Sequence, residues 1–112
     1  MTYEKQIELL TELKRFQFLK DCKEPFTVSE IQELIEVVFK RRLETINYLH
    51  TSYGIKHLLE RVSHVVCGGY KYCSEGSLQE AFKLSGFRTI KKGTRELYNI
   101  SERELRELNR LK

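Results

Sequence analysis

Between Thr51 and Ile100 the sequence shows four local signals in succession within fifty residues, and that succession restricts the fold more than any other feature. Ile55, Leu58, Leu59, Val62, Val65 and Val66 fall in one arc when residues are placed 100° apart. Lys56, His57, Glu60, Arg61 and His64 fall opposite. That pattern predicts an amphipathic helix from about Tyr53 to Val66. A glycine- and tyrosine-bearing loop follows, from Cys67 to Cys73. Ser77 with Glu80 reads as a capping box, and Gly86 suits the position just past a helix end. The helix they bracket is little more than two turns long and cannot stand alone. It must dock through Leu78, Ala81, Phe82 and Leu84, leaving Gln79 and Lys83 on its free face. Phe87 to Ile90 and Arg95 to Ile100 alternate as strands do, around a turn at Lys92-Gly93-Thr94. Helix, turn, short helix and basic hairpin, in that order, is the plan of a winged helix-turn-helix. The expected fold is therefore mainly α with a C-terminal β-hairpin, an α+β domain.

The first half reads as a helical scaffold. Thr2 can cap a helix running from Tyr3 to about Asp21, with Tyr3, Ile7, Leu9, Leu10, Leu13, Phe16 and Phe18 in one broad arc. Cys22-Lys23-Glu24-Pro25-Phe26 breaks it, because the residue before a proline is pushed out of helical geometry. Thr27 with Glu30 forms a second capping box. From Val28 an apolar stripe of Ile31, Leu34, Ile35, Val38, Phe39, Leu43, Ile46 and Leu49 predicts a helix to about Leu49. Arg42 falls near the middle of that stripe, where an unpaired charge is costly. Pairing with a glutamate or reaching out to the edge accounts for it better than facing a ligand does. Ser101 with Glu104, then Leu105, Leu108 and Leu111, predicts a last amphipathic helix. At 112 residues the chain is expected to form one domain. Residues 1–50 would serve as scaffold or partner arm, and residues 51–112 as the winged portion.

Charge separates the two halves. Residues 1–50 hold eight Lys/Arg against nine Asp/Glu, and residues 51–112 hold twelve against seven. Segment 71–95 alone carries Lys71, Lys83, Arg88, Lys91, Lys92 and Arg95 against Glu75 and Glu80. A local basic cluster is what a phosphate-backbone binder needs. The plainer reading is a lysine-rich hairpin kept for solubility. No apolar run approaches the roughly 18 residues of a membrane span, and the N-terminus is polar and amphipathic rather than signal-like. A cytoplasmic protein without membrane contact is expected. Three cysteines, an odd number, point to free thiols rather than a disulfide framework.

Three constellations can carry chemistry. The basic hairpin places Lys91, Lys92 and Arg95 against phosphates, with Lys71, Lys83 and Arg88 adding charge. Ser77, Gln79 and Lys83 can meet base edges or backbone, and Tyr70 and Tyr72 can stack on an unpaired base or hydrogen-bond a phosphate. His57, His64, Cys67 and Cys73 are the metal candidates, but zinc sites favour tighter cysteine pairs. No metal and no cofactor is expected. Cys67 or Cys73 with His64 would be a nucleophile and base, yet no orienting group or oxyanion loop accompanies them, so no catalysis is expected.

One stretch resembles small proteins of bacterial phages and other mobile genetic elements. Their shared pattern runs S-Y-G-x-K-H-x-x-E, an aromatic loop, a small-residue helix ending G-F or G-Y, then Y-x-N-I-S or F-N-I-S. Here it reads Ser52-Tyr53-Gly54-Ile55-Lys56-His57-Leu58-Leu59-Glu60, Tyr72 to Gly76, Ala81, Gly86-Phe87 and Tyr98-Asn99-Ile100-Ser101. It departs at Cys67-Gly68-Gly69, a longer loop, and at Cys73. The resemblance covers under half the chain and implies a mobile-element setting. In size and character the chain is also similar to the small accessory partner of a mobile-element polymerase or helicase. The expectation is a non-enzymatic DNA-binding accessory protein, acting on single- or double-stranded DNA in replication, priming or its regulation. A protein partner such as a replication enzyme is expected beside it, and oligomerisation is left open. The alternative is a protein-binding module that activates a replication enzyme or inhibits a host or defence enzyme. Its interface would be the broad arc of the first helix and Phe39.

Overall fold

The computed structural model describes residues 3–111. The chain forms α1 (Tyr3–Lys14), α2 (Val28–Val38), α3 (Ser52–Cys67), α4 (Glu75–Leu84), β1 (Thr89–Lys92), β2 (Arg95–Tyr98) and α5 (Glu102–Asn109). This is a mainly helical fold with a C-terminal antiparallel hairpin. The expected cap at Thr2 lies outside the described residues. α1 stops at Lys14 rather than near Asp21, and a 3-10 turn covers Gln17–Lys20. The reason lies in Leu13 and Leu19. A continuous helix would set them about 120° apart. The break at Phe16, whose backbone is extended, lets both become fully buried.

The Thr27 capping box forms in full. The Thr27 hydroxyl accepts from the Glu30 amide at 3.1 Å, and the Glu30 carboxylate accepts from the Thr27 amide at 2.9 Å. The far end of α2 differs from expectation: it stops at Val38, and residues 40–51 are not helical. The cause is tertiary. Both Glu104 carboxylate oxygens accept at 3.1 Å, one from the Lys40 amide and one from Arg41. Arg42 then bridges to Ile100 in antiparallel fashion, and the Asn47 amide donates to the Tyr98 carbonyl. Arg42 is thus outside the helix. Its guanidinium meets Glu36 at 3.2 Å, donates to the Ser85 carbonyl and lies 4.3 Å from the Phe87 ring centre. Of the apolar stripe beyond Val38, only Phe39 reaches the core, while Leu49 is exposed. With Phe39 buried against Phe82, an interface built on it is ruled out.

α4 begins two residues earlier than expected. Ser74, not Ser77, is its cap and accepts from the Ser77 amide at 3.0 Å. Gly86 closes the helix with φ +78. β1 and β2 pair from Thr89 with Tyr98 to Lys92 with Arg95. Gly93, at φ +66, takes the first place of the two-residue turn, a position costly for side chains. Phe82 anchors α4 at the core centre, stacked on Tyr98 at 3.9 Å and edge-on to Phe87 at 5.0 Å. One hydrophobic cluster runs from Leu13 through α2, α3 and α4 to Leu111.

Asn99 closes the junction between the hairpin and the 40–51 segment. Its amide donates to the Arg88 carbonyl at 3.3 Å and its carbonyl accepts from the Leu43 amide at 2.9 Å. Its side chain repeats the pattern, accepting from Arg88 N–H and donating to the Leu43 carbonyl, each at 2.8 Å. Replacing the side chain leaves two part-buried backbone groups, the Arg88 amide and the Leu43 carbonyl, without that partner, at a cost of up to about 1–3 kcal/mol each. Asn99→Ala should therefore lower unfolding free energy by about 3 kcal/mol in urea titration; a loss below about 1 kcal/mol would contradict this role.

Candidate nucleic-acid interface

The basic residues of segment 71–95 do not share one surface. Lys71 is 1% exposed. Its ammonium donates to the Asp21 carbonyl at 2.7 Å and the Glu24 carbonyl at 2.8 Å, and lies 5.5 Å from the Phe26 ring centre. This corrects the expectation of a phosphate contact: Lys71 pins the loop before α2 to the turn after α3. The alternation of that turn hid its burial, since a lysine among tyrosines reads as surface.

Lys83 is exposed on α4, and Lys91 and Lys92 are exposed on β1. None of their side chains makes an ion pair or hydrogen bond among the described residues. Lys83 and Lys91 line opposite walls of an open groove of about 410 Å³ between α4 and the hairpin. Gly76, Gln79 and Thr89 also line it, and Glu80 and Glu96 place negative charge along the same walls. Lys91 faces Glu96 across the strands. The groove is therefore electrostatically mixed, and the net positive charge rises toward Lys92 and Gly93 at the hairpin end.

Arg88 and Arg95 are exposed but engaged. Arg88 donates to the Glu44 carbonyl. Arg95 stacks 4.3 Å above the Tyr53 ring centre with Glu75 3.8 Å away. Gln79 is committed to structure: its amide donates to the Thr94 carbonyl at 3.1 Å and the Ser52 hydroxyl at 3.2 Å. Ser77 is half-buried at the start of α4, its hydroxyl accepting from Ser74 at 2.8 Å. Tyr72 is 58% exposed and Tyr70 is exposed with its ring flat against His64 at 4.4 Å.

Two side chains of the Ser52–Glu60 motif, given no role by the sequence, position these groups. Ser52 is fully buried. Its hydroxyl donates to Glu75 at 2.6 Å and accepts from the Gln79 side chain and the Glu96 amide. One oxygen thus joins α3, α4 and β2. Glu60 does the same for the α3–α4 turn. One carboxylate oxygen meets Lys56 at 3.5 Å and His57 at 3.0 Å, while the other accepts from the Cys73 amide at 3.0 Å. Lys56 in turn lies 5.5 Å from both the Tyr53 and Tyr72 ring centres. The spacing of Tyr53, Lys56 and Glu60 along one helix face was the available signal.

The metal and nucleophile candidates are dispersed. His57 pairs with Glu60, His64 stacks on Tyr70 and Cys67 meets Cys22. Among the described residues no three His, Cys, Asp or Glu side chains gather as a metal site. Cys73 is fully buried, and burial, with the Glu60 carboxylate beside it, pushes its thiol up to about 12 despite partial offset by Lys56. Burial of this kind disfavours the thiolate form on which cysteine reactivity depends. Among the described residues no helix is long and apolar enough to cross a membrane. Comparison with known protein families, curated proteins and solved structures finds no match.

Lys71→Met tests the reassignment. It should destabilise the fold by about 2 kcal/mol through loss of two charge-assisted hydrogen bonds, read by urea unfolding. Affinity of the folded protein for DNA, by fluorescence anisotropy, should stay within about twofold; a loss like that of one phosphate contact in a salt titration would restore Lys71 to the interface.

Proposed function

We propose that this chain binds DNA without catalysing a reaction, gripping it with the hairpin end and the groove beside α4. The observation that carries the reading is the trio Lys83, Lys91 and Lys92. They are exposed and unpaired among the described residues, while nearby Arg88 and Arg95 hold the support together. Long flexible ammonium groups left without partners on the hairpin and on the helix beside it suit phosphate oxygens. A winged helix-turn-helix reading is supported by order: α2, a bridged strand-like stretch at Arg42, α3, α4 and the hairpin. In that arrangement α4 enters the groove of the duplex and β1–β2 form the wing. With Gln79 bound to Thr94, sequence reading by α4 is limited, and phosphate contact carries most of the affinity.

The resemblance of the Ser52–Glu60 and Tyr98–Ser101 motifs supports a cytoplasmic accessory role in replication, priming or its regulation in a mobile element. A second reading, a protein-binding module, has its own observation. Tyr48 and Leu49 are 68% and 72% exposed on the 40–51 segment, and Tyr3 and Ile7 are exposed on α1. A replication enzyme as partner would cover such residues, and both contacts can coexist.

Lys91→Glu with Lys92→Glu should reduce affinity for a DNA duplex or single strand at least tenfold at low salt without changing the unfolding midpoint by more than a few degrees. The slope of log affinity against log salt should shrink by about two phosphate contacts. An unchanged titration curve would exclude the wing. Parent binding that ignores salt would favour the protein-binding reading.

A further inference from the structure

Cys22 and Cys67 are 45 positions apart in sequence, yet their sulfurs meet at 2.7 Å. Cys22 lies in the loop after the 3-10 turn, and Cys67 is the last residue of α3. The approach is built by its surroundings. Gly69 leaves the space, since a Cβ there would come within 3.2 Å of the Cys22 sulfur. The Cys67 thiol is directed by the Ser63 carbonyl at 2.9 Å. Lys71, fastened to the Asp21 and Glu24 carbonyls on either side of Cys22, holds that loop against the α3–α4 turn. Both cysteines are half-buried, so a small reagent reaches them, whereas Cys73 is sealed in the core. A disulfide needs its sulfurs about 2.0 Å apart, so closure takes a shift of about 0.7 Å.

We propose that Cys22 and Cys67 are a reversible thiol–disulfide site, whose co-reactant is a low-molecular-weight disulfide of the glutathione type. One cysteine thiolate attacks a sulfur of the small disulfide and expels one small thiolate. The second cysteine then attacks the protein-side sulfur of the mixed disulfide and expels the other. Two cysteine thiols become one S–S bond, giving up two protons and two electrons, and the small disulfide leaves as two thiols. The bond would tie the entry to α2 to the end of α3 and so fix the turn that leads into α4. The site stands independently of DNA binding. Burial and the neighbouring Cys67 hold the Cys22 thiol above its ordinary value, partly offset by Lys71, so exchange quickens as pH rises.

The test uses the full chain incubated with oxidised glutathione and read by thiol titration in denaturant, peptide mass mapping and thermal unfolding. The reduced protein should titrate three thiols and the oxidised protein one, with a Cys22–Cys67 cross-linked peptide. The oxidised form should melt higher by on the order of 10 °C, since the bond closes a long loop, and dithiothreitol should reverse the shift. Cys22→Ser and Cys67→Ser should each stop at a glutathione adduct on the remaining partner, and Cys73→Ser should cross-link as the parent does. Three thiols persisting after oxidation, or stable adducts on both cysteines of the parent, or a cross-link that needs Cys73, would overturn the proposal.

Discussion

A buried peptide group must find a partner, and here that requirement falls on Asn99. Its main chain and side chain together answer Leu43 and Arg88, two residues from distant parts of the sequence. The side-chain amide acts as an extra peptide unit laid between two strand-like segments. Its orientation is set by its neighbours, because a flipped amide would face donor to donor and carbonyl to carbonyl. It adds to the Arg42–Ile100 bridge and the Asn47–Tyr98 hydrogen bond that lay the 40–51 segment along the end of the hairpin. The placement of Lys91 and Lys92 at the end of that hairpin rests on this junction.

Ser52 and Glu60 extend the same logic to α3. Each is a polar group carried on a helix that otherwise packs through Ile55, Leu58, Leu59 and Val62. Each gathers backbone and side-chain donors from a segment that cannot hold its shape alone. Ser52 collects α4 and β2, and Glu60 collects the turn between α3 and α4. Half-satisfied buried polar clusters are costly, so such residues determine geometry more sharply than apolar neighbours of similar burial. The motif residues Ser52, Glu60 and Asn99 are therefore accounted for by architecture, and Ser101 by its cap on α5, where its hydroxyl accepts from the Glu104 amide at 3.3 Å. The Tyr98 hydroxyl belongs with them: burial and then the Glu96 carboxylate hold it protonated, as a donor to Glu96.

What could be read from the sequence followed from local rules. α3, the Thr27 box and the glycine turn at Gly93 obey periodicity, capping and positive φ, all of which act within a few residues. The cap of α4 differs because Ser77 has the Glu80 of a capping box while Ser74 has only a capping hydroxyl, yet it is Ser74 that accepts the Ser77 amide. The basic cluster was legible as charge but not as surface. Lys71 counts with the others in sequence and is spent inside the fold, while Arg88 and Arg95 are partly occupied by Glu44 and Tyr53. Cys22 and Cys67 gave no signal at all, since the contact joins positions that no spacing rule connects.

The end of α2 shows how far a distant group can dictate local structure. The first amides beyond the helix are held by Glu104, 64 positions from Lys40. Leu43 and Ile46 continue the helical apolar stripe, so local preference favours running on. Helix α5 thus acts as a stopper for α2. Local sequence therefore leaves this boundary undecided: the helix ends where a carboxylate from far along the chain takes the amides that would otherwise continue it.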